Sequence, residues 1–319
     1  MADRKRFAIT GVAGYIAPRH LKAIKETGNV LVGACDPSES VGVLDKYFFE
    51  TRYFREFERF DRFVEKLRRR GENERVDYVS ICSPNYLHDA HIRFALRVGA
   101  DAICEKPLVI NPWNLDPLVE LEQEYKRRIY SILQLRVHPA LQALRASIAA
   151  QPRRKREVVL TYVTARGNWY LNTWKGDVSR SGGIATNIGI HFFDLLIWLF
   201  GRVEGSELHL SEPQKAAGYI DLEGATVKWY LSIDRADLPF EAVPGGQTTY
   251  RSITVDGAEV EFSEGFGDLH TLLYQEILAG RGFGIEETRP SISFTHAIRT
   301  AQAVGATSRA HELVARKRR

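Results

Sequence analysis

The feature that most constrains the fold is an alternation of short apolar runs with amphipathic stretches, which continues from residue 6 to about residue 134. Strand-like runs separated by helices of roughly 10–15 residues are typical of βαβ units, which build a parallel sheet between two layers of helices. The predicted strands are RFAIT, VLVGACD, VDYVSICS, ADAICEK and IYSILQLR, and the predicted helices cover residues 17–28, 55–71, 87–98 and 112–127. We therefore predict a doubly wound α/β domain over residues 1–134.

The pattern changes in the second half of the chain. The runs VVLTYVTAR (158–166), VKWYLSID (227–234) and RSITVDGAEVEFS (251–263) are longer and suit antiparallel strands, the last with an Asp-Gly turn. A chain of 319 residues is long enough for two domains, each with its own core. Residues 135–319 are predicted to form an α+β domain on an open, mainly antiparallel sheet.

Composition excludes several classes of protein. The chain is 44% apolar and 26% charged, which is ordinary for a globular protein. Its longest apolar run, 190–200, is too short for a membrane span and contains Asp194, so we expect a buried helix. The N-terminus lacks the apolar core of a signal peptide, which favours a cytoplasmic protein. Cys35, Cys82 and Cys104 are widely spaced within strand-like runs, so neither a disulfide framework nor a zinc site is expected.

The net charge of +4 arises partly from short basic clusters at residues 68–70, 153–156 and 316–319. Aromatic residues do not alternate with these clusters, as they do in nucleic-acid grooves. We interpret the clusters as solvated surface and expect no nucleic-acid partner.

The first strand is followed by ITGVAGYIAPRH (9–20), which resembles a dinucleotide-binding loop with two of its glycines replaced. Such a loop uses three glycines, for the turn, for the approach of the pyrophosphate and for helix packing. These positions hold Gly11, Ala13 and Ile16, with an additional glycine at Gly14. The motif alone is weak, since a purely structural turn gives the same pattern.

Asp36, at the end of the second strand, strengthens the nucleotide-binding interpretation. An acidic side chain there accepts hydrogen bonds from ribose hydroxyls and repels a 2′-phosphate, which favours NAD over NADP. The alternative is an aspartate that begins a turn before Pro37.

Two further strand ends carry polar motifs, SPNYLH (83–88) and EKPL (105–108). Ligands of open parallel sheets bind outside the carboxyl ends of the strands, so both loops are expected beside the cofactor. Lys106 at a buried strand end is best solvated in a polar cleft, and Pro107 disfavours a helical conformation for it. A surface pair of Glu105 and Lys106 is the alternative.

These motifs, with LQLRVHP (133–139) and SGGIATNIGIHFFDLLIWLFG (181–201), resemble the Gfo/Idh/MocA family of nicotinamide-dependent sugar oxidoreductases over almost the whole chain. The family implies a Rossmann N-terminal domain. Within it, the segments GVAGYIAPRHLKAI, LTYVTARGNWY and ITVDGAEVEFSEGFGDLH are most similar to a branch that oxidises the 3-hydroxyl of UDP-N-acetylglucosaminuronic acid, toward diacetamido sugars of surface polysaccharide such as O-antigen. The resemblance implies NAD as cofactor, 2-oxoglutarate as a possible oxidant of bound NADH, and a homotetramer formed as a dimer of dimers.

The resemblance also identifies the catalytic candidates Lys106, His191 and Asn187. Oxidation of a secondary alcohol requires a base and a cationic group at one oxygen. The family has an acidic residue where this chain has Asn187, which cannot take a proton. We therefore predict His191 as the base and Lys106 as the group that stabilises the developing alkoxide, although the two roles can be exchanged. His191 as an ordinary core histidine is the alternative.

The remaining site predictions fall into two sets. The predicted cofactor-binding residues are Gly11, Ala13, Gly14, Tyr15, Ile16, Asp36, Ser83, Pro84, Asn85, His88, Glu105 and Lys106. The predicted substrate-binding residues are Arg166, Asn168, Trp169, Tyr170, Lys175, Asn187 and His191. Weaker candidates are Arg19, His20, Arg136, His138, Tyr250, Arg251, Asp268 and His270. His88 is equally well explained as an ordinary residue of a helix first turn, and the 166–175 segment as a surface loop with packing aromatics.

Two other functions remain open. The first is dehydrogenation of a different sugar or of a polyol. The second is NAD-dependent glycoside hydrolysis on the same fold, which would yield no net NADH.

Overall fold

The computed structural model describes residues 4–152, 154–239, 246–262, 265 and 267–315. These residues form two compact units, described separately below. The first comprises Met1–Val137 and Gly265–Arg289, and the second His138–Glu264 and Pro290–Arg319.

The described residues contain twelve β-strands and eleven α-helices. The strands are β1 Arg6–Thr10, β2 Val30–Cys35, β3 Arg52–Phe54, β4 Tyr78–Ile81, β5 Asp101–Cys104, β6 Ile129–Ser131, β7 Arg156–Thr164, β8 Val203–Glu212, β9 Lys215–Leu222, β10 Ala225–Ser232, β11 Thr249–Val255 and β12 Ala258–Glu259. The helices are α1 Ala17–Glu26, α2 Val43–Tyr47, α3 Phe57–Arg69, α4 His88–Arg97, α5 Leu115–Tyr125, α6 Pro139–Ala149, α7 Val178–Ser181, α8 Ile190–Phe200, α9 Leu269–Leu278, α10 Ile285–Thr300 and α11 Glu312–Ala315.

The first unit is built on a six-stranded parallel sheet in the order β3-β2-β1-β4-β5-β6. The predicted doubly wound sheet is confirmed. The chain reverses its direction of winding between β1 and β4, and in such sheets ligands bind outside the strand ends at this point. The loops after β1, β4 and β5 are therefore the ones best placed to hold a cofactor.

Helix α9 returns from the far end of the sequence to the core of the first unit. Its residues Leu273 and Ile277 lie in one buried cluster with Leu21 and Ile24 of α1. Full burial of a side chain of this size stabilises the fold by about 1.5–3 kcal/mol relative to leaving it exposed. Segment 265–289 therefore belongs to the first unit, whereas the sequence-based division assigned it to the second domain. A division along the chain cannot recognise a helix that packs on an earlier domain.

The second unit is built on a mixed sheet in the order β12-β11-β7-β10-β9-β8. Its pairings are antiparallel except that between β7 and β10. The predicted open, mainly antiparallel sheet is confirmed, and Asp256 and Gly257 form the predicted turn with positive φ angles of 52° and 82°. Residue 263, the predicted end of the last strand, lies outside the described residues.

Three strands, β3, β8 and β9, were not predicted. Strand β3 has only three residues. In β8 the buried and exposed residues alternate irregularly, and its register with β9 shifts twice. The polar and charged residues of this strand obscured the alternation on which the prediction depended.

Part of the second sheet is covered by the C-terminal segment of the same chain. Ala310 and Val314 pack on Ala217 and Tyr230, and Thr161 on β7 is hydrogen-bonded to the His311 ring at 2.9 Å. The chain itself thus covers part of this sheet.

The apolar segment at residues 190–200 is the end of a longer helical stretch, Val178–Phe200. At 23 residues this stretch is long and apolar enough to cross a membrane by length and composition. Its most apolar 18 residues are 67% buried inside the protein. In α8 the predicted buried helix is observed, with Phe193 packing edge to face on Trp229 at 5.1 Å between ring centres.

The basic clusters are largely engaged in ion pairs. Arg68 and Arg69 bind Glu65, while Arg154 and Arg156 bind Asp256. Arg156 is only 8% exposed, so it is not part of a solvated basic surface. Residues 153 and 316–319 lie outside the described residues.

Candidate active site

The loop after β1 turns at a glycine that no other residue can replace without strain. Gly11 has a φ of +76°, and a Cβ atom there would lie 2.4 Å from the carbonyl oxygen of Cys82. Gly14 donates a backbone hydrogen bond to the Gly11 carbonyl oxygen at 3.0 Å, after which α1 begins. Ile16, in the place of a fingerprint glycine, packs against the buried cluster of the first unit. Tyr15 is 89% exposed.

Asp36 connects the second strand with this loop. One carboxylate oxygen accepts a hydrogen bond from the backbone N–H of Ala13 at 3.0 Å, and the other accepts from Ser38 at 2.9 Å. The second contact is the turn that the alternative interpretation expected, so the same side chain caps a turn and contacts the loop. A carboxylate has about four lone-pair positions, so acceptor capacity remains for ribose hydroxyls.

The strand ends after β4 and β5 are connected through His88. Its Nδ1 lies 2.7 Å from the carbonyl oxygen of Pro107, and its Nε2 lies 2.8 Å from that of Ser83. The ring is 1% exposed. Both ring nitrogens therefore face backbone oxygens, and His88 holds the two loops together. Its assignment as a cofactor ligand remains a prediction.

Ser83, Pro84 and Asn85 lie at the same sheet edge. The Ser83 side chain is hydrogen-bonded to His91 Nδ1 at 2.8 Å, and Asn85 begins a short 3₁₀ turn and is 5% exposed. The predicted position of this motif after β4 is confirmed by the strand assignment. Contact with a cofactor remains a prediction.

Glu105 directly follows β5, and its carboxylate is buried, with 6% of the residue exposed. Oε1 accepts hydrogen bonds from His20 Nε2 at 3.0 Å and from His270 Nε2 at 3.1 Å, and Oε2 accepts from the backbone N–H of Lys106 at 3.2 Å. Burial alone would raise the pKa of Glu105, but the hydrogen bonds from His20 and His270 outweigh it and hold the pKa well below the usual carboxyl range. The carboxylate is thus a buried anion. The alternative of a Glu105–Lys106 surface pair is wrong.

Sequence reasoning missed most of the surroundings of Glu105. His20 and His270 were weak candidates, and Tyr274 and Ser80 were not considered. A signal was available for His20, because it lies on the buried face of α1 with Ala17, Leu21 and Ile24 at helical spacing. A polar residue on such a face requires a buried partner.

In the second unit, Asn187 and His191 lie where the helical stretch changes its winding. Residues Ala185–Gly189 form a π-helical turn, and His191 lies in the first turn of α8. Such turns occur frequently at functional sites. His191 is half-buried, whereas its neighbours Ile190 and Phe192 are buried. It is therefore not an enclosed core residue.

The predicted substrate segment follows β7. Arg166, Asn168 and Trp169 are exposed, whereas Tyr170 is buried and its hydroxyl accepts a hydrogen bond from the Asn187 side chain at 2.7 Å. Lys175 Nζ lies 4.4 Å from the centre of the Trp174 ring and 5.6 Å from that of Trp169. Burial, reinforced by the nearby Arg166, lowers the pKa of Lys175. The segment thus presents cations and aromatic rings together.

The weaker candidates have structural contacts. Arg136 donates to the Glu287 carbonyl oxygen at 2.9 Å, His138 accepts a hydrogen bond from Ala140 N–H at the start of α6, and Asp268 pairs with Lys22 at 2.6 Å. Arg251, next to Tyr250 on β11, lies over the Phe262 ring at 5.4 Å. None of these contacts points to a ligand.

Two family models match two separate parts of the chain. Residues 5–132 match the oxidoreductase family, NAD-binding Rossmann fold, and residues 156–236 match the oxidoreductase family, C-terminal alpha/beta domain. The protein belongs to the Gfo/Idh/MocA oxidoreductase family. Its Rossmann domain is an NAD-binding domain.

The chain is similar to the WlbA (WbpB) dehydrogenase from Thermus thermophilus, whose structure in complex with NAD and alpha-ketoglutarate has 53% sequence identity and a TM-score of 0.93, covering 97% of this chain and 99% of that one. A second structure of that enzyme, in complex with NAD and UDP-GlcNAcA, covers 96% of this chain and 98% of that one, at 53% identity and a TM-score of 0.92.

Curated relatives are more distant. Inositol 2-dehydrogenase of Rhizobium meliloti is 26% identical over 62% of this chain and 55% of its own length. UDP-N-acetylglucosamine 3-dehydrogenase of Acidithiobacillus ferrooxidans is 35% identical over 24% of this chain and 25% of its own length. The chain thus spans about half the length of the first relative and a quarter of the second.

The residues of the first unit fit NAD. The close approach of Gly11 to Cys82 leaves no side chain at the turn, and the first turn of α1 has no acidic residue and no side-chain cap, which suits a pyrophosphate. Asp36 keeps acceptor capacity for a ribose hydroxyl, as its predicted role requires.

Proposed function

We propose that this protein is an NAD-dependent dehydrogenase that oxidises the 3-hydroxyl of UDP-N-acetylglucosaminuronic acid to the 3-keto sugar. The observation that carries the proposal is 53% identity, over 96% of the chain, to a dehydrogenase that was crystallised with NAD and UDP-GlcNAcA. Lys106 and His191, the two groups that the chemistry requires, are present and only partly buried.

In this proposal NAD, when bound, would supply the acceptor for the hydride that leaves the sugar carbon. His191 takes the hydroxyl proton, since the ordinary pKa of histidine of about 6.5 lies near neutral pH. The ammonium of Lys106 stabilises the negative charge that develops on the sugar oxygen. Exchange of these two roles would require a neutral lysine and is tested below.

Asn187 acts through position and not as a base. Its amide donates to the buried Tyr170 hydroxyl, and this leaves the amide oxygen in a defined orientation. We propose that this oxygen accepts a hydrogen bond from a sugar or ribose hydroxyl.

The uronate and diphosphate of the substrate carry negative charge, and the segment from Arg166 to Lys175 offers cations beside exposed tryptophan. We propose that Trp169 and Lys175 bind the uridine diphosphate part and that Arg166 and Asn168 contact the sugar acid. Arginine is suited to carboxylates because its planar fork forms two parallel hydrogen bonds.

We further propose that 2-oxoglutarate reoxidises the NADH in place, that the enzyme is a cytoplasmic homotetramer, and that its product enters the synthesis of lipopolysaccharide O-antigen. The complex of the Thermus relative with NAD and alpha-ketoglutarate supports the first point. Light scattering of the purified protein measures the number of subunits.

The test is to mix the purified protein with UDP-N-acetylglucosaminuronic acid, with and without 2-oxoglutarate, and to follow NADH absorbance and product mass. A 3-keto product accompanied by 2-hydroxyglutarate is expected. UDP-N-acetylglucosamine, which lacks the carboxylate, is the matched control and should react much more slowly. Cleaved sugar without NADH or 2-hydroxyglutarate would instead establish glycoside hydrolysis.

A further inference from the structure

A buried network of hydrogen bonds ends at the carboxylate of Glu105. His20 Nδ1 lies 2.7 Å from the Tyr274 hydroxyl, which lies 2.7 Å from the Ser80 hydroxyl. His20, Tyr274 and Ser80 are each fully buried. Through His20 Nε2 the network reaches Glu105 Oε1 at 3.0 Å.

The chemistry of each partner determines which atom donates in every hydrogen bond of this network. An ionised carboxylate only accepts, so His20 carries its proton on Nε2 and presents a lone pair at Nδ1. The Tyr274 hydroxyl therefore donates to His20, and its oxygen accepts from Ser80. Burial lowers the pKa of His20 despite the hydrogen bond to Glu105, which agrees with a neutral ring. All donors thus point toward the carboxylate.

His270 adds a second donor to the same oxygen, at 3.1 Å. It lies one helical turn before Tyr274 on α9, and its Nδ1 has no hydrogen-bond partner among the described residues. A neutral ring that donates from Nε2 leaves only a bare lone pair at Nδ1. An imidazolium would leave an unpaired N–H and a buried positive charge, which cost more.

We propose that His20, His270 and Tyr274 are positioning residues that hold Glu105 ionised and in one orientation, so that its carboxylate accepts hydrogen bonds from a ribose of NAD. This inference rests on the proposed contact of Glu105 with the cofactor. Ser80 completes the set by orienting the Tyr274 hydroxyl.

No formal cation is needed to keep the carboxylate charged, since three N–H groups contact it, from His20, His270 and the backbone of Lys106. A carboxylate that accepts several N–H bonds titrates well below its ordinary range. The titratable and charged groups around the network are Arg19 and His20 on α1, Cys82 after β4, His88 on α4, Cys104 on β5, Lys106, and His270 and Tyr274 on α9.

The arrangement predicts how NAD affinity depends on pH. In the native protein Glu105 stays ionised down to low pH, so the affinity should change less than about twofold between about pH 4 and 8. In Tyr274→Phe the His20 Nδ1 loses its hydrogen bond, and nothing holds the ring in the orientation that points its Nε2–H at Glu105. The carboxylate then keeps only the donors of His270 and the Lys106 backbone in fixed positions, so the pKa of Glu105 rises into the ordinary carboxyl range.

The experiment measures NAD affinity by calorimetry across this pH range. Tyr274→Phe should bind NAD about threefold more weakly at pH 4 than at pH 8, because a carboxyl of ordinary pKa, about 4.3, is about two-thirds protonated at pH 4. The matched control is Tyr78→Phe, because Tyr78 stacks on the same Phe7 ring as Tyr274 but belongs to β4 and lies outside the network. A flat profile for Tyr274→Phe would overturn the proposal.

A second pair of variants covers the case in which Tyr274→Phe does not fold. His270→Leu removes an N–H donor and should weaken NAD binding about tenfold at pH 7. His270→Gln retains an amide donor and should recover most of that loss, whereas a merely structural role would not be rescued in this way. Equal losses in the two variants contradict the proposal.

Glu105→Gln separates this inference from the assignment on which it rests. If Glu105→Gln binds NAD with native affinity, Glu105 does not contact the cofactor and the proposed contact fails. If Glu105→Gln is weak while Tyr274→Phe and His270→Leu are native, only the positioning role fails.

His20, Glu105 and His270 offer ligand atoms within 4.8 Å of one another, a donor set that divalent metals also accept. Elemental analysis of the purified protein distinguishes the two arrangements. One equivalent of metal that is lost in His270→Leu would overturn the proposal, because the histidine nitrogens would then be lone-pair ligands. Absence of stoichiometric metal, with native NAD affinity after chelation, supports it.

Discussion

Asn187 donates a hydrogen bond from its side-chain amide to the hydroxyl of Tyr170, 2.7 Å away, and so connects the π-helical turn before His191 to the substrate segment after β7. Tyr170→Phe should lower kcat about tenfold, because the Asn187 amide loses its hydrogen bond to the Tyr170 hydroxyl. Steady-state kinetics measure the effect. Tyr162→Phe, in a half-buried tyrosine of the same unit that packs on Phe192, should leave kcat unchanged. Equal kinetics in both variants would exclude a positioning role for Asn187.

Lys106→Met and His191→Asn should each lower kcat by about 10²–10⁴-fold. NAD affinity should stay within about threefold in His191→Asn, because His191 is not among the predicted cofactor-binding residues. If His191 is the base, the wild-type kcat/KM should fall toward acid pH as the imidazole takes up a proton, and this limb should vanish in His191→Asn. A limb that persists in His191→Asn and disappears in Lys106→Met would reverse the two roles. Calorimetry with NAD provides the control for folding and cofactor binding.

Asp36→Ala should relax the choice of cofactor. The variant loses the ribose acceptor and the contact to Ala13 N–H, so NAD affinity should fall about tenfold or more, whereas NADP affinity should rise because charge repulsion is removed. Titrations with both dinucleotides measure the ratio. Ser38→Ala keeps the backbone N–H that contacts Asp36 and serves as control. An unchanged ratio would exclude Asp36 from cofactor recognition.

Lys175 should strengthen the binding of UDP and lower the stability of the folded protein. Burial and Arg166 lower its pKa, so the unfolded chain binds more protons than the folded one between the folded and the ordinary lysine pKa. The charged side chain therefore destabilises the fold at neutral pH, and this cost is relieved as the pH rises through that interval. Lys175→Met should leave the Tm equal or higher and weaken UDP binding about tenfold. A lower Tm with native UDP affinity would identify Lys175 as a structural residue.

The glycine loop offers a matched pair of substitutions. Gly11 and Gly28 have nearly the same φ, +76° and +77°, but a Cβ at Gly28 meets nothing within 4 Å. Gly28→Ala should therefore lower the free energy of unfolding by only about 1–2 kcal/mol, which is the energy of placing an alanine in the left-handed conformation. Gly11→Ala adds the clash with Cys82 and should cost at least about 2 kcal/mol more. Denaturant unfolding measures both, and equal losses would contradict the close approach.

The fold was largely predictable because its signals are local. The parallel sheet follows from buried apolar runs separated by helical stretches, and the Asp256-Gly257 turn follows from the need for positive φ angles. Contacts that depend on remote parts of the chain were not predictable. His270 reaches Glu105 across 165 positions, and no periodicity connects the two residues.

The candidate site was predicted as motifs but not as contacts. SPNYLH and EKPL were correctly placed at strand ends, yet His88 holds the two loops together with both ring nitrogens. Asn187 was predicted as a substrate ligand, and its bond to Tyr170 became evident only once the chain had folded. Residue type and spacing indicate which chemistry is available, but a hydrogen-bond partner is selected by tertiary packing.

Helix α9 has a consequence for the order of events during synthesis. Glu105 leaves the ribosome long before Leu269–Leu278, the helix that carries His270 and Tyr274. Until that helix emerges, the nascent Rossmann unit lacks part of its core and the carboxylate lacks one of its donors. Translation of nearly the whole chain must therefore precede completion of the NAD-binding unit, and a fragment that ends at Val137 should not fold to a cofactor-competent state.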